Sequence, residues 1–320
     1  MAKILVTYGV PAEGFFEHLK GHDVCIPKPL EGYTKEEMLT HIADADAVVA
    51  CTAVDADMIA AAKQLKLIVC YGAGYDAIDV AAATRAGIMV ANTPDAVTAP
   101  TAELAIALLM AVSRRIVHLD SLLRTRPSPQ VFGMGKHMGQ SLAGQTLGIV
   151  GMGRIGAVVA DFGRFMGMKV LYHARTPKPH RDALGDVKVP LEQLMAQSDF
   201  ISLHCPATPE TRNLISRDML ALMKPNACIV NTARGAVMDE EALLDALRAG
   251  SIGGAALDVY PDEPHVNPEY LTLPNVILTP HCGSNTHQAR YEMAVQACTR
   301  IQTVLAGGLP ENLLNPEAVR

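Results

Sequence analysis

Three charged residues stand just past short apolar runs of strand character: Arg234 in NTARGAVMDEEAL, Glu263 in ALDVYPDEP and His281 in LTPHCGS. As a set they suit chemistry on a carbonyl compound that bears a carboxylate. A guanidinium holds the carboxylate and polarises the ketone, a histidine supplies a proton, and a carboxylate beside the histidine keeps it protonated near neutral pH. Singly, each has a plain structural use: Arg234 can cap a turn, Glu263 can be solvated surface, and His281 can be a satisfied buried histidine. Their shared position beyond strand ends, where open parallel sheets form ligand sites, is what joins them.

A second constellation has its own chemistry. The run TLGIV leads directly into Gly151-Met152-Gly153-Arg154-Ile155-Gly156, and a helical pattern follows. Glycines in that order permit a tight turn and close backbone approach, while a helix N-terminus faces a pyrophosphate. The spacing predicts dinucleotide binding; the alternative is a glycine turn used only for packing. An acidic residue about 20 positions on would normally hold the ribose 2′-hydroxyl of NAD. Here the next strand ends His173-Ala174-Arg175-Thr176-Pro177-Lys178, so Arg175, Thr176 and Lys178 surround the place of a 2′-phosphate. The segment predicts NADP(H) in preference to NAD(H), with a solvated basic loop as the other reading. Upstream, YGAGYDAID follows the strand-like LKLIVC, and the Ala73 and Gly74 amides are candidates for gripping a substrate carboxylate. A turn glycine without a ligand is the alternative there.

The elements that must carry these residues alternate in type. Apolar runs KILVTY, DVCI, AVVAC, LKLIVC and IMVAN are separated by helical patterns over 11–20, 34–43, 55–64 and 76–86, the rhythm of a parallel sheet with helical crossovers. One long helix is expected from Thr98 to about Arg124, ending before the Pro/Gly-rich RPSPQVFGMGKHMG. A second series then runs TLGIVG, KVLYHA, FISLHC, ACIVNTA, GGAALDVY and VILTPHC, with helices over 154–166, 191–197, 216–222 and 239–249. A last helix from about 286 to 306 closes the chain. Two doubly wound α/β domains are therefore expected, one of residues 1–97 with 286–320 and one of residues 98–285.

Composition narrows the class. The chain has 320 residues, 49% of them apolar, enough for two ordinary cores. A net charge of -6 offers no broad basic footprint for nucleic acid or an anionic membrane. Leu104 to Val112 is too short for a bilayer span and Leu147 to Ala160 carries Arg154, so no membrane crossing is expected. The start lacks the order of charged, apolar and small residues that a signal peptide needs. Seven scattered cysteines with no C-x-x-C pair argue against disulfides or a metal site, and with the rest suggest a cytoplasmic protein. Cys282 is notable for adjoining His281.

From the GAGYD turn through TPDAVTAPTAEL, GIVGMGRIG, NTARGAVMDEEAL and ALDVYPDEP to TPHCGS, the chain resembles the D-isomer-specific 2-hydroxyacid dehydrogenases, of the glyoxylate/hydroxypyruvate reductase branch. The resemblance spans roughly residues 65–295. It implies a flavodoxin-like substrate domain built from both termini, a Rossmann cofactor domain, a cleft between them, and a homodimer formed through the cofactor domain. Arg234 then resembles the substrate-binding arginine, His281 the acid/base and Glu263 its partner. Asp258 resembles the residue that orients the nicotinamide carboxamide. Thr101 lies where the long helix meets the cofactor, Arg154 and Ile155 touch pyrophosphate, Cys205 and Pro206 line the adenosine side, and Ala233 and Gly283 complete the cofactor surround. The chain departs from the family in having no tryptophan, in Cys282 where an aliphatic residue is common, and in Asn285 where alanine is common.

The expected function is reduction of a small 2-keto acid, glyoxylate, hydroxypyruvate or similar, to the D-2-hydroxy acid with NADPH. Two alternatives stand: a 3-phosphoglycerate-type dehydrogenase, and a nicotinamide-sensing binding protein of the same fold.

Overall fold

The structure, a computed structural model, describes residues 1–319 apart from 12 and 127. The chain divides into two units, Met1–Thr98 with Ser284–Arg320, and Ala99–Gly283.

The first unit runs β1 (Lys3–Val6), α1 (Phe15–His18), β2 (Asp23–Cys25), α2 (Lys35–Ile42), β3 (Ala47–Ala50), α3 (Ala56–Ala61), β4 (Leu67–Cys70), α4 (Val80–Arg85) and β5 (Met89–Asn92). Its five strands are parallel in the order β2-β1-β3-β4-β5, one of the common doubly wound arrangements. Strands β3 and β4 are buried throughout because helices cover both faces, so they read as continuous apolar runs rather than alternating ones. Asp55 and Asp79 cap α3 and α4 through side chains that accept the Met58 and Ala82 amides. Of the span 11–20 expected to be helical, only α1 is, and residue 12 lies outside the described residues.

The helix α5 (Pro94–Ser113) leads out of the first unit, and α6 (Ile116–Thr125) follows. These replace the single helix expected from Thr98 to about Arg124. The start is earlier because proline is well suited to a first helical turn. The break comes at Arg115, whose backbone is left-handed, φ 55°, while the Ser113 carbonyl turns to accept the Gln140 amide. At 20 residues α5 is longer than the apolar run Leu104 to Val112 read from the sequence, and by length and composition alone it is long and apolar enough to cross a membrane. Half of its apolar window is buried, and Ala102, Ala105, Leu108, Leu109 and Val112 pack into the core of the second unit.

That unit continues with β6 (Thr146–Val150), α7 (Arg154–Phe165), β7 (Lys169–His173), α8 (Pro179–Asp182), β8 (Val187–Lys188), α9 (Leu191–Gln197) and β9 (Phe200–Leu203). It is completed by α10 (Arg217–Ala221), β10 (Cys228–Asn231), α11 (Glu240–Ala249), β11 (Gly254–Leu257) and β12 (Val276–Leu278). The sheet order β12-β11-β10-β9-β6-β7-β8 is the Rossmann order, all parallel, and reverses direction between β6 and β9. The short β8 at the edge and the single turn α8 were not foreseen from the sequence. The last helix, α12 (His287–Leu305), is capped by Thr286 and returns to the first unit, where Met293, Ala294, Ala297, Cys298 and Ile301 join its core.

Candidate active site

All three chemistry-bearing residues lie in the second unit, beyond the carboxyl ends of neighbouring strands. Arg234 follows β10, Glu263 follows β11 and His281 follows β12. His281 Nδ1 and Glu263 Oε2 are 2.6 Å apart, and the other carboxylate oxygen of Glu263 accepts the Tyr260 amide at 2.9 Å. Burial pushes the Glu263 carboxyl up, but the hydrogen bond from His281, that from the Tyr260 amide and the charge of Arg234 outweigh it. The net effect is a carboxyl below its ordinary range, so Glu263 is ionised at neutral pH. The His281 side chain is 47% exposed, so a small molecule can reach the ring.

The turns carrying these residues are shaped by neighbours with no chemistry of their own. Asn231 accepts the Ala233 amide at 3.0 Å and donates to the Arg234 carbonyl at 2.9 Å, folding the chain back at the end of β10. Gly235 then sits against the next loop, since a Cβ there would fall 2.0 Å from the Tyr260 carbonyl carbon. Only glycine lets the Arg234 turn pack this closely on the Tyr260-Pro261 backbone that leads to Glu263. Tyr260 donates its hydroxyl to the carbonyls of Leu257 and Thr279, linking the ends of β11 and β12. Burial and the nearby Asp258 charge push that phenol up to about 12, so it remains a donor.

His281 adopts a left-handed backbone conformation, φ 50°, which costs a non-glycine residue about 1–3 kcal/mol. Asp258, 1% exposed, holds the surrounding turn. Its carbonyl accepts the His281 amide at 2.8 Å, Oδ1 accepts the Cys282 amide at 2.9 Å, and Oδ2 accepts the Gly283 amide at 2.9 Å. Thr101 meets the same place, because a Cβ built on Gly283 would lie 3.3 Å from Thr101 Cγ2 and 3.2 Å from Asp258 Oδ2. Three residues expected near a cofactor, Thr101 on α5, Asp258 directly after β11 and Gly283 past β12, are thus brought together; Ala233 lies just past β10.

The glycine constellation fits a dinucleotide. Gly151 has φ 100° and a Cβ there would fall 2.6 Å from the Cys205 amide nitrogen, so the β6 turn and the β9 end touch at the topological reversal. A Cβ at Gly156 would strike the Gly151 carbonyl at 2.2 Å, whereas one at Gly153 would meet nothing within 4 Å. Two glycines therefore fit the helix to the turn, and the middle one faces open space where a phosphate can approach. Arg154 and Ile155 open α7 beside it. Cys205 is buried and Pro206 exposed. Arg175 and Thr176 are exposed and Lys178 half-buried, past the end of β7. Their loop is pinned by Tyr172, whose hydroxyl accepts the Lys178 amide at 3.1 Å and donates to Asp182 at 2.8 Å. Glu210 lies close enough to Arg175 for the arginine's charge to help lower its carboxyl, after the larger effect of a hydrogen bond from Thr208. No other cofactor candidate is placed beside these three among the described contacts.

Ala73 and Gly74 belong to the first unit, just past β4. The Ala73 carbonyl accepts the Asn92 amide group at 2.8 Å and the Gly74 carbonyl accepts the Cys70 thiol at 3.0 Å, so the turn is fixed through its oxygens. Asn231, Tyr260 and Thr279 escaped the sequence reading. Only Asn231 carries a signal, an Asn opening a turn at a strand end.

A Rossmann sheet, a glycine turn at its reversal and a histidine–carboxylate pair at its far strands define a nucleotide-dependent dehydrogenase architecture. The chain belongs to the D-isomer specific 2-hydroxyacid dehydrogenases, whose NAD binding domain matches residues 106–283. It is 41% identical to a glyoxylate reductase of Thermococcus litoralis, over 99% of this chain and 98% of that protein. The crystal structure of a glyoxylate reductase from Paecilomyes thermophila superposes with a TM-score of 0.87 at 34% identity, covering 99% of this chain and 98% of that one. An NADPH-dependent glyoxylate/hydroxypyruvate reductase from Sinorhizobium meliloti, solved with NADP and malonate, superposes with a TM-score of 0.87 at 28% identity, covering 99% of this chain and 97% of that one.

Proposed function

We propose that the protein reduces glyoxylate or hydroxypyruvate to the corresponding D-2-hydroxy acid with NADPH. The observation that carries this reading is the 2.6 Å pair of His281 Nδ1 and Glu263 Oε2 beyond a Rossmann sheet. The bond at Nδ1 leaves Nε2 as the ring nitrogen for a substrate oxygen.

The bound nicotinamide supplies a hydride to the carbonyl carbon. His281 gives a proton from Nε2 to the carbonyl oxygen, and ionised Glu263 stabilises the imidazolium that does so. Arg234 holds the substrate carboxylate and polarises the ketone. Gly151, Gly153 and Gly156 with Arg154 and Ile155 receive the pyrophosphate, and Cys205 and Pro206 the adenosine. Thr101, Ala233, Asp258 and Gly283 surround the nicotinamide. Arg175, Thr176 and Lys178 bind the 2′-phosphate, a preference that the relative solved with NADP supports. The relatives' names support glyoxylate and hydroxypyruvate as substrates. We read the protein as a cytoplasmic homodimer.

A panel of 2-keto acids with NADPH and NADH tests this, with chiral analysis of glycerate made from hydroxypyruvate, because glycolate has no stereocentre. Turnover of either acid and D-glycerate are expected. L-glycerate would overturn the stereochemistry, and NADPH binding without turnover of any keto acid would instead indicate a nicotinamide-sensing protein.

A further inference from the structure

We infer that Thr279 is a positioning residue for His281, acting through the Asp258 carboxylate; this rests on the reading of His281 as the proton donor. Thr279 directly follows β12, and its amide donates to the Leu257 carbonyl at 2.9 Å, so its backbone is fixed to β11. Its hydroxyl donates to Asp258 Oδ1 at 2.7 Å. Its carbonyl accepts the Tyr260 hydroxyl at 2.9 Å and the His281 amide at 3.1 Å.

The Asp258 carboxylate accepts the Thr279 hydroxyl and the amides of Cys282 and Gly283. The two amides belong to the turn being held. Of these donors, the Thr279 hydroxyl comes from the sheet end, and it fixes which way the carboxylate faces. That orientation matters because His281 is left-handed and would relax to an ordinary conformation if the turn amides were released. A relaxed residue 281 would carry its ring away from Glu263 Oε2. Thr279 touches neither the ring nor the Glu263 carboxylate among the described hydrogen bonds, so its effect is on geometry rather than on proton transfer itself.

The experiment compares Thr279→Val, Thr279→Ser and His281→Ala in the full-length protein by kcat for keto acid reduction, NADPH dissociation constant by fluorescence titration, and melting temperature. A hydrogen bond to a charged group sets the expected scale, so Thr279→Val should lower kcat by about 10- to 100-fold in a protein that still folds, a larger loss than any in NADPH affinity. Thr279→Ser, which keeps the hydroxyl, should restore most of kcat. Wild-type kcat in Thr279→Val beside an inactive His281→Ala would overturn the positioning role alone. A kcat loss that is matched by lost stability and cofactor affinity, and that serine does not rescue, would overturn it as well, leaving a merely structural residue. Wild-type kcat in His281→Ala would instead overturn the catalytic reading beneath it.

Discussion

At the level of single residues, His281 has one ring nitrogen committed to Glu263 and a ring surface open to solvent, the arrangement a proton donor needs. General acid catalysis contributes about 10²–10⁴-fold, so His281→Ala should lose kcat on that scale while binding NADPH normally in a fluorescence titration. Glu263 acts through its charge. A carboxyl held below its ordinary range gives stability that is present above that range and lost as pH falls through the lowered value, so the ionised form faces His281 throughout neutral pH. Glu263→Gln removes the charge that faces the imidazolium, so kcat for keto acid reduction at neutral pH should fall; an unchanged kcat in a folded variant would refute the pairing. Arg234, Glu263 and His281 were legible because their types announce chemistry and their strand-end positions show in the pattern. Thr279 and Tyr260 were not, because a hydroxyl that orders a turn looks in sequence like any other hydroxyl, and its partners are 21 and 19 residues away.

Among the elements, the β7 loop makes the sharpest prediction. With no carboxylate at Ala174 there is no acceptor for a ribose 2′-hydroxyl, and Arg175 stands exposed beyond the strand. Charge-assisted bonds to a 2′-phosphate are worth about 10- to 100-fold in affinity, so kcat/KM with NADPH should exceed that with NADH by at least this order. Arg175→Ala should erase most of the difference through KM, and adding Ala174→Asp should reverse it; steady-state kinetics with both cofactors checks both. The alternation of strand and helix was readable because buried parallel strands are continuous apolar runs and crossovers are amphipathic. The break between α5 and α6 was not, since the apolar spacing runs through it and the cause, a left-handed Arg115 with Ser113 bonded to Gln140, is tertiary. The two-residue β8 is too short to leave any periodicity.

For the whole molecule, α6 buries none of its residues and exposes Ile116, Val117 and Leu123, with Phe132, Met134 and Met138 exposed in the segment after it. Beside it lies a pocket of about 480 Å³ lined by Val112, Arg115, His118, Met138 and Ile277. Such apolar exposure suits a partner surface, and in the homodimer we propose it is covered by a second copy. Sedimentation should show a dimer that Ile116→Glu with Val117→Glu converts to monomer; a monomeric wild type would refute the proposal. The alternation along the chain shows two parallel-sheet layers, but the order of strands within each does not follow from alternation and came from the family resemblance. The central claim is that hydride passes from the nicotinamide to the keto carbon on this chain. Glyoxylate reduction with NADPH deuterated at C4, once on each face, measures that directly by mass spectrometry of the glycolate. One of the two labelled cofactors should deliver a single deuterium to C2 for each NADPH oxidised, whereas NADPH that is not consumed, or glycolate free of deuterium from both, would contradict it.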